Sequence, residues 1–191
     1  MPVTYVFDTS SLSHAIEPMS SAFLGAFQYD EDKRPRSWSE TKARFRRRSL
    51  SGLRTRSMLL KCDSYSCAVP VSVKRELLRE VSFRDSVLLL FGKPLLVEDK
   101  YKRIMVRGKI DGFSKVFRIE LKEIQPKEQT RELVRKKALE IGMKIGGKDG
   151  LSEADIDGVA LALDLKAVLV TADNRQYSLA KALGVPAIKT I

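Results

Sequence analysis

Histidine and cysteine are almost missing from this chain. Its 191 residues include one histidine, His14, and two cysteines, Cys62 and Cys67. Three such residues are too few for a zinc ribbon, and the spacing of the cysteines does not match a CxxC metal knuckle. The cysteines could form one disulfide bridge or none, and we interpret both as small, half-buried hydrophobic residues near a strand.

Long hydrophobic runs are also missing. No uninterrupted apolar run is longer than residues 87–91, whereas a membrane-spanning helix needs roughly 20 apolar residues. Residues 1–7 lead directly into an expected strand and show no signal-peptide pattern. We therefore expect a cytoplasmic protein that has no membrane partner.

Acidic residues are scarce relative to basic ones. The chain has 35 lysine and arginine residues and 24 acidic residues, so its formal net charge is +11. The excess is concentrated between Lys33 and Lys61, where Glu40 is the only acid. Trp38 and Phe45 are interleaved with the charges and no apolar stripe accompanies them, so nucleic acid is favoured over a solvated face or a membrane surface. The predicted nucleic-acid-binding residues are Lys33, Arg34, Arg36, Lys42, Arg44, Arg46, Arg47, Arg48, Arg54 and Arg56.

Strand and helix patterns alternate along the chain. Alternating or apolar β-branched segments predict strands at residues 3–7, 66–71, 167–171 and 187–191. Helical spacing predicts helices from residue 9 to about residue 27 and at residues 73–91, 126–141, 151–165 and 175–183. This alternation predicts an α/β fold in which helices cover a parallel sheet, in a single domain over residues 1–191.

Two segments interrupt the alternation. Residues 28–57 are polar, basic and rich in serine, so we expect an insertion that is at best partly helical, around residues 40–48. Farther along, two alternating segments flank Asp111-Gly112, which is a strong signal for a tight turn between antiparallel strands. We therefore predict a β-hairpin insertion over residues 99–123.

Four acidic residues are predicted to meet at one edge of the sheet. Asp8 directly follows the first strand, and Asp173 follows the strand at residues 167–171 by two positions. Glu76 lies one turn into the helix after the second strand, and Asp155 lies in the first turn of the helix at residues 151–165. Because ligands of open α/β sheets bind at the carboxyl ends of the strands, these positions predict a functional site.

Carboxylates that crowd together repel one another unless cations bind to them or their pKa values shift. Oxygen ligands without histidine or cysteine suit Mg²⁺ or Mn²⁺ rather than zinc. Each acid also has a structural interpretation: Asp8 could cap a helix, Asp155 could complete a capping box, Glu76 could be solvated, and Asp173 could shape a turn. Singly these roles are favoured, but four acids at one edge favour a metal site.

The same positions resemble the PIN-domain family. The resemblance covers most of the chain outside the two insertions, and its motifs are Tyr5-Val6-Phe7-Asp8-Thr9-Ser10, Val71-Ser72-Val73-Lys74-Arg75-Glu76-Leu77, Leu151-Ser152-Glu153-Ala154-Asp155 and Thr171-Ala172-Asp173. Residues 151–191 look most like archaeal PIN endoribonucleases such as the one that matures the 3′ end of small-subunit ribosomal RNA. That enzyme carries a zinc ribbon, which this chain lacks, and usually pairs two aspartates where this chain has Ala172-Asp173.

This resemblance implies a PIN-like parallel sheet sandwiched by helices and a metal-dependent endoribonuclease acting on structured RNA, with ribosomal or pre-ribosomal RNA as a candidate. It implies that the catalytic residues, which ligate one or two Mg²⁺ or Mn²⁺ ions, are Asp8, Glu76, Asp155 and Asp173. The expected second-sphere residues are Thr9, Asp157, Thr171 and Asn174. Two alternatives stay open: a non-catalytic RNA- or ribosome-binding PIN-like protein, and a toxin-type ribonuclease of a toxin–antitoxin pair. A homodimer is compatible with each.

Overall fold

A computed structural model describes residues 5–16, 38–59, 67–81, 121–147 and 149–191. The strands within these ranges are β1 (Tyr5–Phe7), β2 (Cys67–Pro70), β3 (Lys122–Ile124), β4 (Val168–Thr171) and β5 (Ala187–Lys189). The helices within them are α1 (Thr9–Ile16), α2 (Trp38–Leu59), α3 (Val71–Val81), α4 (Glu128–Glu140), α5 (Glu153–Leu165) and α6 (Asn174–Ala182).

These strands form one parallel sheet in the order β3-β2-β1-β4-β5. In the central strand β1, Val6 is aligned with Ala68 of β2 and with Leu169 of β4. The predicted α/β class is therefore confirmed, and the architecture is consistent with a PIN-like fold. Because β2 pairs with one side of β1 and β4 with the other, the order reverses between β1 and β4. This reversal is the place where open α/β sheets bind their ligands.

Alternation along the strands produces two hydrophobic layers. Val6 and Leu169 belong to a core that α4, α5 and α6 cover. Their neighbours Phe7 and Val170 belong to a second core, which contains buried residues of α1, α2 and α3. Successive side chains of a strand point to opposite faces, so strands covered on both faces are apolar throughout. This is why the central strands were recognisable in the sequence.

Helix α2 differs from the prediction for residues 28–57. It is continuous from Trp38 to Leu59, so the expectation of partial helix around residues 40–48 is wrong in extent. Its buried positions include Ser51 and Thr55, which are polar and therefore leave no apolar stripe in the sequence. Residues 28–37 of the predicted insertion lie outside the described residues.

Helix α2 packs closely against helix α1. A Cβ atom on Gly52 would collide with the carbonyl oxygen of His14 in α1, so only glycine allows the two helices to come this near. The Arg56 side chain also donates a hydrogen bond of 2.6 Å from Nε to the carbonyl oxygen of Ala15. Helix α2 is thus packed into the fold.

The edge strand β3 is not predicted by the sequence pattern. It consists of Lys122, Glu123 and Ile124, and it pairs only with β2 among the described strands. Charged residues are common in edge strands because one side of the strand is not paired. Residues 122 and 123 therefore belong to the sheet and not to the predicted hairpin insertion. The rest of that hairpin, together with the predicted helical residues 17–27 and 82–91, lies outside the described residues.

Strand β2 is buried along its whole length. Its first residue, Cys67, is aligned with Tyr5 of β1 and is disulfide-bonded. Of the two options left open by the sequence, one bridge or none, the structure therefore shows the bridge, and Cys67 is buried rather than half-buried.

The C-terminal third follows the prediction closely. Helix α5 begins after the N-cap residue Ser152 with the expected capping box. Helix α6 ends before Gly184, whose φ of 70° lies in the left-handed region that favours glycine. Local signals suffice here because caps and turns depend on neighbouring residues.

In the part of the chain that the structure describes, no helix is both long enough and apolar enough to cross a membrane. The longest, α2, has 22 residues and contains many arginines.

Candidate carboxylate site

The carboxyl ends of β1 and β4 place two acids beside the reversal in strand order. Asp8 directly follows β1, and Asp173 is the N-cap of α6, two residues after β4. Burial raises the pKa of Asp155, which lies in the first turn of α5, and the negative charges of Asp173 and Asp8 raise it further. The structure therefore brings Asp8, Asp155 and Asp173 into one electrostatically coupled group.

Asp8 is almost completely buried, with 1% of its surface exposed. Its Oδ1 accepts a hydrogen bond of 2.7 Å from the backbone N–H of Ser11. Its Oδ2 accepts hydrogen bonds from Ser10 Oγ at 2.5 Å and from Thr171 Oγ1 at 2.6 Å. Burial raises the pKa of Asp8, and these hydrogen bonds oppose that rise only in part. A buried carboxylate in this condition would be stabilised by a cation.

Asp155 has the structural role that its spacing predicts. Its Oδ2 accepts a hydrogen bond of 2.7 Å from the backbone N–H of Ser152, and its own N–H donates to Ser152 Oγ at 3.2 Å. Burial nevertheless raises the pKa of Asp155 to about 6, and repulsion from Asp173 and Asp8 adds to the rise, while the Ser152 hydrogen bonds lower it. The capping hydrogen bonds thus do not offset the rise in the pKa of Asp155.

Asp173 caps α6. Its Oδ1 accepts hydrogen bonds from the backbone N–H groups of Arg175 at 2.6 Å and Gln176 at 3.2 Å. The guanidinium of Arg175 also donates to Asp173 Oδ2 at 3.2 Å. Thr171 Oγ1 accepts from the Asp173 N–H at 2.9 Å. Since the same hydroxyl donates to Asp8, Thr171 connects two of the predicted site residues.

Glu76 reaches the site through Thr9. Thr9 Oγ1 donates a hydrogen bond of 2.5 Å to Glu76 Oε2. Thr9 is the first residue of α1 and directly follows Asp8. Glu76 is half-buried rather than fully solvated. The predicted second-sphere residue Thr9 therefore ties α3 to the strand end that carries Asp8.

Asp157 and Asn174 make no contact that would place them in this group. Asp157 is buried, and its Oδ1 accepts a hydrogen bond of 2.6 Å from Arg131 Nε of α4. Each residue of a helix turns by about 100°, so Asp157 and Asp155 point in directions about 160° apart around the helix axis. Asn174 is exposed, and within the described ranges its side chain has no hydrogen bond. The second-sphere roles predicted for both residues thus find no support in their contacts.

Two serines that hold the site were missed as site residues. Ser10 Oγ, besides donating to Asp8, accepts a hydrogen bond of 3.1 Å from the N–H of Ala172. Ser11 Oγ lies 3.0 Å from the carbonyl oxygen of Val170, to which it donates. Both therefore fasten the end of β4 to the start of α1. The sequence signal for Ser10 and Ser11 is the run of hydroxyl residues after Asp8, which is equally typical of helix capping.

Gln176 was missed as well. It is fully buried, and its Nε2 donates a hydrogen bond of 3.0 Å to the carbonyl oxygen of Asp155. A Cβ atom on Gly158 would lie 2.7 Å from this nitrogen, so glycine leaves the space for the contact. Gln176 Oε1 is buried without a hydrogen-bond partner among the described residues. No local pattern predicts such a contact between two helices.

The predicted RNA-binding residues are only partly described. Arg46 and Arg47 are exposed on α2. Arg54 is exposed too, and its guanidinium donates a hydrogen bond of 3.2 Å to the carbonyl oxygen of Thr190, directly after β5. Arg54 therefore lies at the same sheet edge as Asp173. The residues whose side chains lie outside the description are Lys33, Arg34, Arg36, Lys42 and Arg44.

The carboxylates of the site are suitable ligands for a hard divalent cation, but their present spacing is less suitable. The four predicted ligands are all carboxylates, and burial raises the pKa of Asp8 and of Asp155. Within the described ranges, however, no three histidine, cysteine or acidic residues are grouped closely enough to hold one ion. Binding of one cation by these carboxylates therefore requires them to move closer to one another.

The chain has no match among models of known protein families, and a search of curated proteins finds no relative. Its function is inferred from its residues and their geometry.

Proposed function

We propose that this protein is a PIN-type endoribonuclease that depends on Mg²⁺ or Mn²⁺ and acts on structured RNA, with ribosomal precursor RNA as a candidate. The observation that carries the proposal is that Asp8 and Asp173 share the hydroxyl of Thr171 at the reversal in strand order, where Asp155 also lies close enough for their charges to raise its pKa. Buried or half-buried carboxyl groups gathered in this way favour a divalent cation as their common partner.

The residues that would hold the cation are Asp8, Glu76, Asp155 and Asp173. A bound divalent cation supplies an activated water and stabilises the oxygen that leaves a phosphodiester. The protein's own part is orientation: Thr171 and Ser10 hold Asp8 Oδ2, and Thr9 holds Glu76. Rigid positioning of this kind is what a catalytic site requires of its supporting residues.

The basic surface of α2 supports RNA as the substrate. Arg46 and Arg47 are exposed on a helix that packs against α1, the helix that directly follows Asp8. Arg54 contacts the residue after β5, at the edge where the carboxylates lie. Positive charge attracts the phosphate backbone, and the contact of Arg54 beside the carboxylate end of the sheet supports an RNA path close to the acids.

A non-catalytic RNA-binding protein is the second candidate. It is favoured by the fact that Asp173 already caps α6 and Asp155 already completes the capping box of α5, and by the absence of a three-ligand group within the described residues. In this case the PIN-like scaffold would present the basic helix and the acids would serve only the fold.

The test is to incubate cellular RNA and Mn²⁺ with the wild type and with Asp8→Asn and Asp173→Asn, and to map new RNA ends. The wild type should produce ends that both variants fail to produce, because the amides cannot replace the charge of a ligand. Glu132→Gln removes one charge from an exposed position of α4 and should cleave like the wild type. If the wild type produces no ends beyond those of the variants while all bind RNA equally, the protein is a binder.

A further inference from the structure

A chain of hydrogen-bonded side chains joins α1 and α2 to the end of β4. His14 Nδ1 lies 2.9 Å from Ser51 Oγ, and Ser51 Oγ lies 2.7 Å from Thr190 Oγ1. Thr190 Oγ1 lies 3.3 Å from the carbonyl oxygen of Thr171, to which it donates. Ser51, Thr190 and Thr171 are fully buried. The chain ends at the residue whose own hydroxyl donates to Asp8.

The direction of these hydrogen bonds follows from the number of protons. Each hydroxyl has a single proton to donate. Thr190 donates its proton to the Thr171 carbonyl, so Ser51 must donate to Thr190, and His14 must donate from Nδ1–H to Ser51. Only this direction satisfies all three contacts. It requires a hydrogen on Nδ1 of His14, and because burial and the positive charge of Arg48 lower the pKa of His14 to about 4, this is the neutral Nδ1–H tautomer at neutral pH.

Thr171 is held on two sides by this arrangement. Its carbonyl oxygen accepts from the N–H of Thr190 at 2.9 Å as well as from the Thr190 hydroxyl. Its side-chain hydroxyl donates to Asp8 and accepts from the N–H of Asp173. Rotation of the Thr171 peptide would therefore disturb both acids.

We propose that Ser51 and Thr190 are positioning residues for the carboxylate site, because they fix Thr171 and thereby the orientation of Asp8. The assignment of this site to cation binding rests on the proposed function, whereas the positioning of Asp8 does not. Buried hydroxyls cost free energy unless every one is satisfied, and a fully satisfied network makes a site rigid. Ser51 belongs to α2, so the network also links the helix that carries Arg46 and Arg47 to Asp8.

Amide hydrogen exchange measured by NMR on the full chain, without metal or RNA, tests this role. The reporters are the N–H groups of Ser11, Ala172 and Asp173, which donate to Asp8 Oδ1, Ser10 Oγ and Thr171 Oγ1. Ser51→Ala and Thr190→Val each remove one hydroxyl from the network. Both should speed exchange at the reporters by about tenfold or more, the factor that corresponds to losing one hydrogen bond of roughly 1.4 kcal/mol. Thr190→Ser keeps the hydroxyl and should restore slow exchange.

Thr55→Val is the matched control. Thr55 is as buried as Ser51 and lies one turn later in α2, but its hydroxyl donates to the Ser51 carbonyl within the same helix. This variant should leave exchange at the three reporters unchanged. If Thr55→Val speeds it as much as Ser51→Ala does, or if neither Ser51→Ala nor Thr190→Val changes it, the positioning role is wrong.

Mn²⁺ titration of the same variants separates the two proposals. Ser51→Ala and Thr190→Val should weaken Mn²⁺ binding by about tenfold, as loss of outer-shell support does at metal sites, and Thr55→Val should not. If the exchange results appear as expected and the wild type does not bind Mn²⁺, the positioning of Asp8 stands and the metal-dependent function fails. If Mn²⁺ binds equally to the wild type and to Ser51→Ala and Thr190→Val, the proposed function survives and the positioning role is overturned.

Discussion

Arg131 Nε donates a hydrogen bond of 2.6 Å to Oδ1 of Asp157, and this pair joins α4 to α5. Only 2% of the Asp157 side chain and 17% of the Arg131 side chain are exposed. Asp157 lies two residues after Asp155, yet its partner is on another helix. The contrast shows how two neighbouring acids can have different roles: Asp157 pairs with a cation of the protein, whereas Asp155 faces other acids.

The first prediction follows from this pair. Arg131→Met should destabilise the protein by about 3–5 kcal/mol, because it leaves Asp157 buried without its counterion. Arg135→Met is the control: its partners Glu132 and Glu153 are largely exposed, so it should cost about 1 kcal/mol or less. Urea unfolding measures both values. Equal losses of unfolding free energy in the two variants would show that the buried pair contributes no more to stability than the exposed pairs.

The second prediction concerns pH. His14 has a pKa of about 4 in the folded protein, lowered from 6.5 chiefly by burial. Between these values the unfolded chain binds a proton that the folded protein does not. The contribution of the neutral, buried His14 to the free energy of unfolding is therefore complete above pH 6.5, and it is lost as the pH falls from 6.5 through about 4. The loss should be on the order of 2–3 kcal/mol.

His14→Gln tests the pH prediction because glutamine cannot gain a proton in this range. Chemical denaturation between pH 4 and pH 7 should give a smaller loss of stability for the variant than for the wild type. Comparing the two curves cancels the titration of the acids, which both proteins share. Parallel curves would mean that the pKa of His14 is the same in the folded protein and in the unfolded chain.

The third prediction concerns the basic face of α2. Replacing Arg46 and Arg47 by alanine should weaken RNA binding and reduce the slope of log affinity against log salt by about 0.7–0.9 for each lost phosphate contact. Lys136→Ala with Lys181→Ala removes two exposed charges from α4 and α6 and is the control. Fluorescence anisotropy with a structured RNA at several salt concentrations gives both slopes. An unchanged slope for the arginine variant would remove α2 from the binding surface.

Much of the fold could be predicted because its signals are local. The central strands β1 and β4 are apolar on both faces, and the capping box of Ser152 and Asp155 needs only a spacing of three residues. The edge strand β3 could not be predicted, because a charged three-residue strand is recognisable only through its pairing with β2. The extent of α2 was missed because its contacts depend on small and polar residues such as Gly52.

The site could be predicted in outline only. Strand ends identify Asp8 and Asp173, since the carboxyl ends of parallel strands share one edge. The partners of these acids could not be found in the same way: Thr190 reaches Thr171 only because β5 pairs with β4. The partner of Asp157 could not be predicted either, because spacing along a helix does not show which neighbouring helix supplies a cation.

The carboxylates at the reversal in strand order should form a cation site, and calorimetric titration of Mn²⁺ into the metal-free protein at neutral pH tests this most directly. The wild type should bind Mn²⁺ saturably, Asp8→Asn should bind it about tenfold more weakly or worse because a charged ligand is lost, and Glu132→Gln should match the wild type. If the wild type shows no saturable binding up to millimolar Mn²⁺, or if Asp8→Asn binds as tightly as the wild type, the carboxylates do not form the proposed site.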